Sequence, residues 1–209
     1  MVCVLPIGSY EQHGPHLPPT VDTEVAQYVA KKVAETVGAE LLPSVAYSCS
    51  REHQGIGKTI SIRCDRFLPY VEDLLRGAVE ICQRVIVIVG HGGVVDAIRV
   101  VATQINYELG PRVFVVPLWK YIKIRDHAGS DETSIYIAIG GSTIAAIPRL
   151  CEGDVALFDL VPVRMMSSSG VVGCLNPAEV SRERGVEFLE KGIGEILKKV
   201  KEFLTLRIS

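Results

Sequence analysis

Val85-Ile-Val-Ile-Val89 is a run of five β-branched apolar residues with no polar position. Alternation of side chains means that such a strand presents apolar surface on both faces, so both faces must be covered. The run is therefore expected to be a central strand of a parallel sheet, closed by Gly90-His91-Gly92-Gly93. A parallel sheet needs crossover connections, and the rest of the chain supplies them.

Val2–Ile7 is a second short apolar run, ended by Gly8-Ser9. From Asp22 to Val37, apolar residues fall at helical spacing (Val25, Tyr28, Val29, Val33, Val37), with Gly38 as a stop. Glu40–Tyr47 reads as a strand despite Pro43, Asp65–Cys82 as an amphipathic helix, Val95–Leu109 as a helix and Arg112–Leu118 as a strand. Asp131–Ala138 reads as a helix with acids in its first turn, favoured there by the macrodipole. Gly140–Asp154 fits no pattern, Phe158–Met165 reads as a strand and Ser167–Gly170 as a mobile loop. Asn176-Pro177 is expected to cap a long terminal helix reaching about Leu204, interrupted by Gly185, Gly192 and Gly194. The fold class predicted is α/β: three layers, a mostly parallel sheet with helices on both faces, in one domain over residues 1–209.

Composition narrows the function classes. Lys plus Arg is 22 against 24 for Asp plus Glu, a net charge of −2, so no long-range field favours nucleic acid or an anionic membrane. No apolar run approaches the roughly 18 residues of a membrane span, and Met1–Ile7 is too short for a secretory h-region. The expected location is cytoplasmic. The six cysteines (Cys3, Cys49, Cys64, Cys82, Cys151, Cys174) show no Cys-x-x-Cys pair and are expected to be reduced, mostly buried thiols. Gly57-Lys58-Thr59 imitates the end of a phosphate-binding P-loop, but Glu52 stands where that loop needs glycine, and the match is discarded.

The polar residues that remain gather at expected strand ends. The five histidines, His13, His16, His53, His91 and His127, each lie within two residues of a glycine and outside the helical patterns. Ligands of parallel sheets bind at the carboxyl ends of strands, where the loops holding Glu11, His13 and His91 should open together. With Asp22 and Glu132 these make two imidazoles and three carboxylates, a mixed set suited to zinc, iron or manganese. A hydrogen-bonded structural network is the other reading of the same residues, and spacing does not separate the two. His16 and His53 fit packing and functional roles equally.

Leu5-Pro-Ile-Gly-Ser-Tyr-Glu-Gln-His-Gly-Pro-His-Leu-Pro18, with Asp22 downstream, resembles the N-terminal metal motif of the creatininase (creatinine amidohydrolase) family. Gly90-His-Gly-Gly93 and His127-Ala-Gly-Ser-Asp-Glu-Thr-Ser134 resemble two more of its motifs, and Gly170–Gly173, Pro177 and Gly185 echo its C-terminal pattern. The resemblance implies two divalent metal ions (Zn, Fe or Mn) per subunit. One ion would be held by Glu11, Asp22 and His91, the other by His13, Asp22 and Glu132, with Asp22 bridging. In creatininase a Glu stands at the position of Gly93, and its role is transferred here to Glu132. His127 would be the catalytic histidine, with Glu132 beside it.

The implied reaction is hydrolysis of a C–N bond in a small-molecule amide other than a peptide, within a homo-oligomer. The family's archaeal deformylase, which removes formate from a formylamino-pyrimidine ribonucleotide in flavin and deazaflavin biosynthesis, is the specific activity favoured. Arg51 or Lys58 would then meet the substrate phosphate, with His53 as a further substrate contact; as solvated surface charges they would do neither. No aromatic pair lies near His127 to clamp a creatinine ring, Trp119 being several residues upstream. Creatinine-type hydrolysis and a non-catalytic binding or assembly subunit are the alternatives. Val89 and Val94 stand where the family has asparagines, Ser130 where many members have Glu, and Gly57-Lys58 replaces Pro-Gly before Thr59. Hydrogen bonds that orient His91 are thus expected to be missing.

Overall fold

The computed structural model describes residues 1–157 and 161–208. Val85–Val89 forms the heart of a buried strand. Strands β1 (Val2–Ile7), β2 (Glu40–Leu41), β3 (Arg84–Val89) and β4 (Val113–Pro117) form one sheet in the order β2-β1-β3-β4, and every pairing is parallel. The register sets Ile7 beside Val89 and Val89 beside Pro117, so the carboxyl ends of β1, β3 and β4 finish level.

Alternation along the strands divides the core in two. Val4, Ile86, Ile88 and Val116 face α1 (Val21–Val37), α4 (Leu118–Ile122), α5 (Ser130–Ala138) and α6 (Arg182–Leu204). Cys3, Leu5, Ile7, Val85, Val87 and Val89 face α2 (Cys64–Ile81) and α3 (Val95–Leu109). At about 1.5–3 kcal/mol for each fully buried Val, Leu or Ile, these layers are the main stabilisation of the fold. The three-layer α/β architecture is the one predicted from the strand and helix periodicities.

Several elements depart from their predicted form. The strand predicted over Glu40–Tyr47 keeps only Glu40–Leu41, because Pro43 has no N–H for the ladder; the chain rejoins the sheet through Val45 N–H to Pro6 O at 2.9 Å. Asn176 does cap a proline-led segment, accepting from Ala178 N–H, but that segment is the 3₁₀ turn Pro177–Glu179. Helix α6 starts afresh at Arg182 with Ser181 as its cap and runs unbroken through its glycines. Of the strand predicted over Phe158–Met165, residues 158–160 lie outside the described residues and Val163–Met165 is a 3₁₀ turn. Part of the illegible region makes a two-stranded antiparallel ribbon, β5 (Leu150–Glu152) with β6 (Gly173–Leu175).

The loop expected to be mobile is held. Glu152 accepts hydrogen bonds from Ser167 Oγ (2.6 Å), Ser168 N–H (3.1 Å) and Oγ (3.0 Å), and Ser169 N–H (3.0 Å) and Oγ (2.7 Å). The expectation of reduced thiols is also corrected: the cysteines pair as Cys3–Cys82, Cys49–Cys64 and Cys151–Cys174. Their sequence separations of 79, 15 and 23 carry no motif: Cys3 on β1 meets Cys82 just after α2, Cys49 in a loop meets the first residue of α2, and Cys151 faces Cys174 across the ribbon. Among the described residues no helix is long and apolar enough to cross a membrane.

Candidate metal centre

The site is built where β1 and β3 end against the start of α1. Gly8 and Gly90 terminate those strands, and neither has room for a side chain. A Cβ on Gly8 would lie 2.4 Å from Thr23 Cα, and one on Gly90 2.3 Å from the Asp22 carbonyl oxygen. The first turn of α1 therefore settles onto both strand ends and carries Asp22 between the loop after β1 and the loop after β3.

Five predicted ligands converge there, each nearly without solvent exposure. His13 Nε2 lies 3.4 Å from Asp22 Oδ1 and 3.7 Å from Glu132 Oε2. On the other side of Asp22, His91 Nδ1 lies 3.1 Å from Glu11 Oε2 and 3.3 Å from Asp22 Oδ2. Asp22 thus offers one oxygen to each imidazole, and Ser9 Oγ donates to Oδ2 at 2.9 Å. The remaining ring nitrogens meet main-chain carbonyls: His13 Nδ1 is 3.0 Å from Glu11 O and His91 Nε2 is 3.0 Å from Cys49 O. Those carbonyls can only accept, which leaves the inward nitrogens free to act as ligands.

His127 and His53 complete the wall. His127 Nε2 lies 3.1 Å from Gln12 O, so its N–H is assigned there and Nδ1 faces Glu132 Oε2, 3.9 Å away. His53 Nε2 lies 3.3 Å from Glu11 Oε1, and its ring centroid is 4.6 Å from that of His127. Glu132 is aimed inward from the first turn of α5. Its carboxylate accepts from Ala128 N–H, in a left-handed turn at φ 55°, while Asp126 accepts from the N–H groups of Asp131 (2.9 Å) and Glu132 (3.2 Å).

Electrostatics separates the groups. Burial pushes the Glu11 carboxyl up to about 7 and that of Glu132 up to about 8. Burial acts in the same sense on Asp22, but His13 and His91 beside it hold its carboxyl well below the ordinary range. Burial disfavours charge on His13, yet Glu132 and Asp22 raise its imidazole to about 10. His127 and His53 are held well below the ordinary histidine value, first by burial and then by neighbouring imidazolium charge.

The donor set fits divalent cations. Glu11–Asp22–His91, His13–His127–Glu132 and Glu11–His53–His127 each bring three ligand atoms within 4.8 Å of one another. Glu11 Oε2 and His13 Nε2 are buried and make no hydrogen bond, although an ordinary polar network would satisfy them. A cation between the carboxylates would also offset the cost of burying three of them together, several kcal/mol per uncompensated ion.

Above these ligands lies a cavity of about 170 Å³, whose walls include Trp119, Ile124, Asp126, His127 and Val155. The creatininase family model, described as creatinine amidohydrolase, matches residues 1–200. The chain belongs to the creatininase family.

This creatininase-family chain is 30% identical over 215 residues to the mycofactocin precursor peptide peptidase of Mycolicibacterium smegmatis, covering 96% of the chain and 84% of the relative. It is 26% identical to the 2-amino-5-formylamino-6-ribosylaminopyrimidin-4(3H)-one 5'-monophosphate deformylase of Methanothermus fervidus, covering 91% and 73%. The fold matches a creatinine amidohydrolase (creatininase) crystal structure at TM-score 0.82 and 21% identity, over 99% of this chain and 91% of that one. A structure titled as the manganese form of creatininase matches at TM-score 0.81 and 22% identity, over 98% and 91%.

The predicted substrate contacts are not gathered in one place. His53 is buried beside Glu11, whereas Arg51 and Lys58 are exposed and neither lines the cavity. His16 is buried with Nε2 2.8 Å from Thr133 Oγ1, tying the first loop to α5.

Four site residues escape sequence reasoning. Gln12 sits between two ligands, where alternation would turn it away, yet its amide lies 2.9 Å from His53 Nδ1 and 3.3 Å from His127 Nε2. Glu52 reaches His91 from a distant loop. Trp119 follows β4, so the strand-end rule could have found it; its indole donates to Gly90 O. Asp126 stood beside a candidate histidine, the one local signal available.

Proposed function

We propose that this creatininase-family chain is a two-metal amidohydrolase whose substrate presents an amide carbonyl beside a small apolar side chain, as a short apolar peptide does. The convergence of Glu11, His13, Asp22, His91 and Glu132 beneath a cavity walled by Trp119, Ile124 and Val155 carries this reading. Glu11, Asp22 and His91 would hold one ion, and His13, Asp22 and Glu132 the other. When bound, two such cations supply a water made nucleophilic near neutral pH and a Lewis acid for the amide oxygen.

The protein groups divide the remaining work. The walls of Trp119, Ile124 and Val155 restrict bulk water and seat the apolar part of the substrate. Water adds to the amide carbon and gives up a proton; His127, uncharged because burial disfavours its imidazolium, accepts it at Nδ1. The C–N bond then breaks, and His127 Nδ1 returns the proton to the departing nitrogen, leaving a carboxylic acid and an amine. Gln12 O holds the His127 tautomer that makes Nδ1 the accepting atom.

Two observations favour a peptide-like amide over a phosphorylated ribonucleotide. Among the described residues that line the cavity none is Lys or Arg, and a phosphate would need one. The mycobacterial relative, at 30% identity, is named a precursor peptide peptidase. The reading thus widens the expected non-peptide amide to include a terminal peptide bond.

The test offers short apolar peptides, creatinine and an N-formyl aromatic amine, and reads new amine from the first, ring-opened creatine from the second and formate from the third. Release from peptides that stops on chelation and returns with Zn²⁺ or Mn²⁺ is expected. Formate release alone would move the assignment to the deformylase reading, and no release with both ions bound would move it to a non-catalytic subunit.

A further inference from the structure

We propose that Glu52 is the positioning residue for His91, supplying from a separate loop the orienting contact that Val89 and Val94 lack; this rests on the two-metal reading above. The nitrogen of His91 that faces Glu11 and Asp22 is Nδ1, so the ring must hold its proton on Nε2 to act as a ligand. Nε2 meets two acceptors: the Cys49 carbonyl at 3.0 Å and Glu52 Oε1 at 3.1 Å. The carbonyl takes the N–H, and the carboxylate lies beside it as a fixed negative charge. Together they fix the tautomer and make Nδ1 a stronger donor.

The space for this contact is built in. Gly93 is the second residue after His91, and a Cβ there would lie 2.2 Å from Glu52 Oε1 and 2.9 Å from His91 Nε2. Any other residue at position 93 would displace the carboxylate, the ring, or both. Glu52 itself is held at the site by its neighbours in sequence. Its side chain is 16% exposed, His53 next to it is fully buried against Glu11, and Cys49 is tied to the start of α2 through Cys64. Among the described residues, Oε1 is buried without a hydrogen bond and lies against the His91 ring. Valines flanking Gly90–Gly93 therefore need not mean a degraded site, because the orienting group arrives from elsewhere in the chain.

The test uses the full-length protein stripped of metal and titrated with Zn²⁺ alone against a chromophoric chelator, then with Co²⁺ alone to read ligand geometry from its visible spectrum. Glu52→Ala and Glu52→Gln should weaken one of the two ions about 10–100-fold and shift the Co²⁺ spectrum. The other ion, and the melting temperature of the metal-free protein, should not change. Wild-type affinity for both ions in both variants would overturn the proposal. So would equal weakening of both ions together with a lower metal-free melting temperature, which is what a packing role predicts. If Glu52→Ala does not fold, the isosteric Glu52→Gln decides alone. If the wild-type protein binds neither ion, the two-metal reading fails first, and that outcome is distinct from the others.

Discussion

Gly90 and the carbonyl of Asp22 are packed so closely that a single methyl group between them would sit 2.3 Å from the oxygen. The two residues are far apart in the chain, and their approach sets the distance between His91 and the carboxylate it shares with His13. Gly90→Ala is therefore expected to push α1 away from β3. Overpacking of this kind costs about 1–3 kcal/mol, and thermal unfolding should show it. Metal analysis should show the loss of at least the ion nearer His91, because the added methyl separates its ligands.

Asp22 and His127 should behave differently. Asp22→Ala removes the carboxylate that faces both imidazoles and should abolish binding of both ions and turnover. His127→Ala should keep the metal and lower the rate by 10²–10⁴, the usual contribution of a positioned acid–base group. Parallel metal loss in the two variants would move His127 into the ligand set.

The clamp on Ser167–Ser169 gives a pH dependence with a defined sign. Hydrogen bonds from Ser167 and Ser169 lower the Glu152 carboxyl from 4.5 to about 2. A carboxyl lowered on folding stabilises the protein fully above its unfolded value, and that stabilisation is lost as pH falls through the folded value. Glu152→Gln should cost about 1 kcal/mol at pH 6, the figure kept small for solvent screening. The gap in melting temperature between wild type and variant should close as pH falls from 5 toward 2. A gap that stays constant would mean the serines do not recognise the charge.

Arg51→Ala and Lys58→Ala should leave KM and kcat for a peptide-like amide unchanged, since both side chains are exposed outside the cavity. Trp119→Ala should raise KM about tenfold, equivalent to about 1.4 kcal/mol of lost contact. Steady-state kinetics on one substrate compares all three. A large effect of Lys58 or Arg51, with none from Trp119, would favour a phosphorylated substrate.

Much of this protein was legible before any fold was known. The Val85–Val89 run, the helical stripe of α1 and the stop at Gly38 act through nearest neighbours, and the structure has all three. The elements misjudged were those whose form depends on distant partners. Ser167–Gly170 reads as mobile until Glu152 is brought against it. Asn176-Pro177 opens only a 3₁₀ turn, and a second capping serine starts α6.

Local pattern thus determined the layered α/β class and put Glu11, His13, Asp22, His91 and Glu132 forward as a group, because side-chain period and strand-end loops are short-range properties of a chain. Only the folded structure decided which nitrogen of each histidine turns inward, that Gln12, Glu52 and Trp119 belong to the site, and which cysteines meet. Those outcomes depend on contacts of a few ångströms between segments tens of residues apart, and such distances are set by how sheet and helices pack rather than by any spacing along the sequence.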